Sequence, residues 1–337
     1  VKTRFIELGV LVLIAVLSVW AYVGKKVGWH HGYVFSPTVS TILIILIFAS
    51  LLWVLFRTLQ DRLVGRRVVF LYIGVALTLP LFMSIKQEII VSDEVRGVYD
   101  ALQELQPGSK ILVSFDYDPA SAPELQPMAE AVFGECFRRN LDVIVMGLWP
   151  MGPQQAQLAF DSILFRMGLT DQDVVYGRDY VNLGFQAGNE FVIQRMGTSF
   201  ASMFSTDYRG TPYQDLPLVR NIKNFSNIDY SVNISAGFPG TVEWVQVAVD
   251  RYRLKLGAGN TAVQAPTVYP YLSSGQLTGL MGGMNGGAEI EKLTGLEGKA
   301  TKFMLSQSFA HLIVIAFIII GNVAFFRSGR KSKLKGE

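Results

Sequence analysis

The stretch KILVSFDYDPASAPELQPMAEAVFGECFRRNLDVIVMG, residues 110–147, decides the fold. It opens on a β-branched and aromatic run, turns through Pro119 and Pro123, and then places Met128, Val132, Phe133, Cys136 and Phe137 on one side of a helical pattern. A second apolar run, 142–147, follows at once. Strand, long amphipathic helix and strand in this order cannot close as a hairpin, and they predict two parallel strands joined by a crossover helix.

Outward from this unit the same alternation continues. Strands are expected at 110–115, 142–147, 180–185, 229–235, 254–256 and 277–280, and helices at 123–139, 154–167, 190–204, 241–251, 267–273 and 288–293. The predicted fold is α/β and Rossmann-like, a mainly parallel sheet with crossover helices. The polar, proline-punctuated stretch 205–227 has no sustained period and reads as a surface excursion: a lid, an interaction loop or a plain connecting loop.

Apolar runs flank this region. Residues 5–23, 39–56, 68–83 and 309–326 each approach the roughly 20 residues that cross a bilayer core. A mean hydropathy of +0.33 fits that reading. The expectation is three transmembrane helices in 1–85, a soluble domain in 86–305, and a fourth span with a basic tail in 306–337. Arg57, Arg62, Arg66 and Arg67 lie between the second and third spans, and Arg327, Arg330, Lys331, Lys333 and Lys335 follow the fourth. Both clusters predict a cytoplasmic location, with both termini inside a bacterial-type inner membrane and the domain extracytoplasmic.

Charge divides accordingly. Residues 86–305 carry 17 Lys and Arg against 24 Asp and Glu, while the remainder carries 13 against 3. An acidic domain has no basic excess to attract nucleic acid. The single cysteine, Cys136, excludes an intrachain disulfide, and its position predicts a buried thiol. His30, His31 and His311 are the only histidines, all outside 86–305, so neither a Ser–His or Cys–His device nor histidine-ligated zinc is expected within the domain.

Each predicted strand runs into a Gly- or Pro-rich turn, and in a parallel sheet these turns meet at the carboxyl edge, where ligands bind. The candidate ligand-binding residues are Asp116, Asp118, Gly188, Asn189, Gly237, Gly240, Gly282, Gly283, Gly286 and Gly287. The glycines match neither a dinucleotide fingerprint nor a lysine-containing phosphate loop. Glu124, Glu190, Glu243 and Glu289 stand at the helix starts, where they would repel phosphate and favour a neutral or cationic ligand.

The segment FDYDP, 115–119, resembles the first motif of haloacid-dehalogenase-type phosphatases. That resemblance implies a nucleophile at Asp116 and an acid at Asp118, with both as catalytic or metal-binding candidates; Pro119-Ala120 stands where that family has Gly-Thr. Alternatively these carboxylates bond turn amides or cap a helix. VYPYLSSGQLTGL, 268–280, is similar to a helix–Ser-Gly–strand segment of some bacterial solute-binding receptors. Glu7, His311 and Asn322 fall within apolar spans and are expected to face other helices.

The sequence therefore predicts a membrane protein whose outer domain binds a small ligand or a partner protein, as a non-catalytic subunit of a larger membrane assembly or a homo-oligomer. No cofactor is expected. A metal-assisted hydrolase or transferase using Asp116 and Asp118 is the alternative, and a purely structural scaffold is the third.

Overall fold

A computed structural model describes residues 12, 16, 19, 35–60, 65–83, 88–296 and 298–334. The chain divides into two compact units, one of residues 1–88 with 302–337 and the other of residues 89–301.

The second unit is built on a six-stranded, all-parallel sheet in the order β3-β2-β1-β4-β5-β6. Its strands are β1 Lys110–Asp116, β2 Asp142–Gly147, β3 Tyr180–Phe185, β4 Tyr230–Ser235, β5 Leu256–Asn260 and β6 Leu280–Gly282. The order reverses between β1 and β4, which makes their carboxyl ends the switch point. Alternation along β1 sends Ile111, Val113 and Phe115 to one face and Leu112, Ser114 and Asp116 to the other.

The first face packs against four helices, α3 Asp93–Gln103, α4 Ala122–Arg138, α5 Gly152–Met167 and α9 Gly283–Thr294. Phe133 of α4 and Phe160 of α5 stack at 4.2 Å between ring centroids, and Cys136 is buried beside them. Helix α3 lies unusually close to β6: a Cβ on Gly97 would stand 2.2 Å from the Thr278 carbonyl oxygen, and one on Gly279 would stand 2.4 Å from the Val98 nitrogen. Only glycine permits that approach.

The opposite face is covered by α6 Glu190–Thr198, by the helix after β4, by α8 Ala265–Ser273, and by the stretch between α6 and β4. The helix after β4 begins as α7 Thr241–Trp244, widens to a π-turn over Val245–Val249 and closes as Asp250–Tyr252. The expected surface excursion at 205–227 is instead part of the core. Tyr213, Leu216, Leu218, Val219, Ile222 and Phe225 are buried there, although the backbone forms only short 3₁₀ turns. The apolar residues fall in irregular spacing, so no period betrays them. Asp207 pins the segment: it accepts from the Tyr176 hydroxyl at 2.8 Å and from the Thr211 amide at 2.7 Å.

The first unit contains α1 Pro37–Leu59, α2 Arg66–Thr78 and, continuing from the second unit, α10 Lys299–Leu334. Among the described residues two helices are long and apolar enough to cross a membrane, Pro37–Leu59 and Lys299–Arg327. Only 17% and 11% of their apolar windows are buried, whereas the core helix of a soluble protein would be mostly covered. Among the described residues the four expected spans are therefore reduced to two. The run 68–83 is a helix of 13 residues passing into a 3₁₀ turn, Leu79–Phe82, where Pro80 lacks the amide that would continue the ladder. Thirteen residues rise about 20 Å, short of the roughly 30 Å core. The run 5–23 lies outside the described residues apart from 12, 16 and 19, as do Glu7, His30 and His31. Ile47, Leu51, Ala76 and Ile313 pack together in this unit, with Tyr72 edge-on to Phe317 at 5.4 Å.

Candidate functional site

At the carboxyl edge, β1 ends on Asp116, which is completely buried on the face shared with Trp244. Its Oδ1 accepts from the Leu148 amide at 2.7 Å, and its Oδ2 accepts from Asn233 Nδ2 at 2.6 Å and Trp244 Nε1 at 3.1 Å. The Ser114 hydroxyl lies 2.9 Å from both oxygens. The parallel register explains the convergence, since Ser114 pairs with Met146 on one side and with Asn233 on the other. Burial is the leading influence on this carboxyl and pushes its pKa up to about 7, against four hydrogen bonds that favour the charged form.

The network continues away from Asp116. The Thr241 hydroxyl donates to Asn233 Oδ1 at 2.6 Å, Asn260 Nδ2 lies 2.8 Å from that hydroxyl and 3.0 Å from Gln264 Oε1, and Gln264 Nε2 donates to the Gly237 carbonyl at 3.2 Å. A buried polar chain thus runs from β1 through β4 and β5 beneath the switch point, each member bonded to the next.

Above that floor the strand-end turns are tied together. Trp149 Nε1, after β2, donates to the Pro239 carbonyl after β4 at 2.8 Å. The Ala262 amide, after β5, donates to Glu124 Oε2 at the start of α4 at 2.8 Å. Glu243 Oε2 accepts from the Gly240 amide at 2.7 Å and fixes the start of α7. These bonds make a crown of four turns whose crest is apolar: Met151 is 41% exposed, Phe238 66% and Val263 88%.

The sequence-derived candidates separate on this geometry. Asp116 belongs to the floor. Asp118 Oδ1 accepts from the amides of Ala120 and Ser121 at 3.1 and 3.4 Å, and shares none of the hydrogen-bond partners of Asp116. Gly237 and Gly240 belong to the crown, and Gly240 is glycine because a Cβ there would meet Ser235 Oγ at 2.0 Å. Gly188 and Asn189 both have positive φ in the turn after the edge strand β3. Gly282 and Gly283 open α9 after the other edge strand, where Gly283 packs on Ala262. Gly286 and Gly287 are packing residues: their missing Cβ atoms would lie 2.7 Å from the Met281 carbonyl carbon and 3.2 Å from Ala300 Cβ. Glu289 is buried and accepts from the Ser92 amide and from Asn285. His311 is exposed on α10, and Asn322, also exposed, bonds back to the Ile318 carbonyl of its own helix, so neither faces another described helix.

Ser114, Asn233, Thr241, Trp244, Asn260 and Gln264 were not among the candidates. Ser114 and Asn233 do announce themselves as polar residues flanked on both sides by apolar ones (VSF, VNI). Among the described residues no group of three His, Cys, Asp or Glu side chains is placed to hold a metal ion. No family model matches the chain, and neither a curated protein nor a solved structure is detectably similar to it.

Proposed function

We propose that the chain is a membrane-anchored, non-catalytic binding subunit whose crown at the carboxyl edge docks a partner protein. The observation that carries this reading is the combination of a rigid, hydrogen-bonded crown with an exposed apolar crest over a floor whose polar groups are spent on one another. A small-ligand site needs a few convergent polar groups left for the ligand, whereas an apolar anchor at the centre of a rigid patch is how protein interfaces concentrate affinity. The two long apolar helices supply the anchor, and the charge partition favours an extracytoplasmic domain in a bacterial-type inner membrane. Hydrolase chemistry through Asp116 finds no support in the geometry, because both oxygens are buried and occupied.

The test is copurification from native membranes after mild detergent extraction, comparing wild type with Phe238→Ala combined with Val263→Ala. Loss of a stoichiometric companion at unchanged expression is expected. A companion retained by the double variant would overturn the crown as the docking surface.

A further inference from the structure

The crown also carries information about its partner's chemistry. Taken with the first turns of the helices that follow, the six strand-end turns span 116–124, 147–155, 185–190, 235–243, 260–266 and 282–289. They hold six carboxylates, Asp116, Asp118, Glu124, Glu190, Glu243 and Glu289, and no lysine, arginine or histidine. Asp116 and Glu289 are buried and engaged internally. Asp118, Glu124 and Glu243 are half-buried members of the crown itself.

Their placement is paired with the apolar crest. Glu124 bonds the amide of Ala262, the residue before Val263. Glu243 bonds the amide of Gly240, two residues after Phe238. Phe238 and Val263 therefore each have a carboxylate tied to their own turn, while the turn of Met151 has none. A helix N-terminus contributes about half a positive charge, so it offsets only part of the carboxylate standing on it. The edge stays negative, within a domain already seven charges to the acidic side. Nucleic acid and anionic lipid headgroups are repelled by such a surface.

We propose that the crown receives a partner-protein segment in which apolar and cationic side chains alternate, the apolar ones seated on Phe238 and Val263 and the cationic ones reaching Glu124, Glu243 and Asp118. This rests on the crown being a docking surface, and it adds the sign of the partner's charge.

The experiment uses the full chain in nanodiscs of phosphatidylcholine, with empty nanodiscs as the baseline. Two synthetic peptides are titrated, one alternating Leu with Arg and one alternating Leu with Glu. The Leu/Arg peptide is expected to bind and to weaken as salt rises. Glu124→Gln with Glu243→Gln keeps both amide bonds but removes two charges, and should weaken that peptide about fivefold. Phe238→Ala should weaken it about tenfold or more. Glu104→Gln with Asp171→Asn, two carboxylates at the amino edge, should leave binding unchanged. If both peptides bind equally and Phe238→Ala weakens both, the docking surface stands and the cationic partner is overturned. If neither the Gln pair nor Phe238→Ala alters Leu/Arg binding, both ideas fall.

Discussion

Replacing Asp116 by asparagine separates the two forces acting on the buried floor. The carboxyl is raised from its ordinary 3.8 to about 7 by burial, so the folded protein holds this proton more tightly than the unfolded chain does. The contribution of this carboxyl to stability is therefore greatest below about pH 4, falls as pH rises toward 7, and levels off above it. Between pH 5 and pH 8 the decline spans roughly two units of ionisation, on the order of 2–3 kcal/mol. Asparagine has no such proton to lose. Its cost is geometric: Leu148, Asn233 and Trp244 all donate, so the new amide nitrogen must face at least one of them. Turning the amide oxygen toward Asn233 and Trp244 leaves the Leu148 N–H orphaned, which costs about 1–3 kcal/mol. Asp116→Asn should thus be less stable than wild type at pH 5 and close to it at pH 8. Urea titration of the full chain in detergent, followed by tryptophan fluorescence, reads this directly, because Trp244 bonds the substituted side chain. A deficit that stays constant from pH 5 to pH 8 would refute the reasoning, for it would mean that the four donors keep the carboxyl within or below its ordinary range.

Three further outcomes follow from the packing. Gly97→Ala must move α3 off β6, since its Cβ would sit 2.2 Å from the Thr278 oxygen; a loss of about 2 kcal/mol or more in the same titration is expected, against a few tenths gained if the site had room. Glu291, buried in α9, accepts from the amides of Gly298, Ala300 and Thr301 at 3.0, 3.1 and 2.9 Å and so caps the start of α10 from another helix. Glu291→Ala should cost about 1–3 kcal/mol and speed amide exchange at those three positions while leaving the middle of α10 unchanged. Burial pushes the Cys136 thiol far above its ordinary range, so a thiolate-selective alkylating reagent should leave the native protein unmodified at pH 8 and react fully once it is denatured; rapid native labelling would contradict the buried placement.

The fold was legible where period and chemistry agreed. The first four strands lie within a residue of their sequence positions because Val, Ile, Tyr and Phe dominate them. The fifth and sixth are displaced, observed at Leu256–Asn260 and Leu280–Gly282 against 254–256 and 277–280. LGAGN and LMG look like turns, yet a Cβ on Gly257 would meet the Tyr230 hydroxyl at 2.3 Å, so close packing selects the glycines. Glycines likewise hid the first turn of α9, expected only from 288. Helix α3 was missed although Val95, Val98 and Leu102 mark its buried face. The carboxyl edge was foreseeable from topology; the pairing of Ser114 with Asn233, which decides that Asp116 is a structural hub, was not, because register between strands over a hundred residues apart is written in no local pattern.

The two faces of the sheet are covered by different kinds of material, and this bears on how the domain comes apart. Four helices sheath one side, each holding its own backbone through an internal ladder. Much of the other is roofed by 205–227, which has buried side chains but only isolated 3₁₀ turns. Its main chain is tied to the sheet side only at separate points, the Tyr208 amide to the Asn182 carbonyl at 2.8 Å and the Leu218 amide to the Gly177 carbonyl at 3.0 Å, and not through a continuous ladder that must break cooperatively. That roof is expected to lift first under stress, and since Phe225 within it packs against Trp244, amide exchange should appear earliest behind the crown while the sheathed face is still intact.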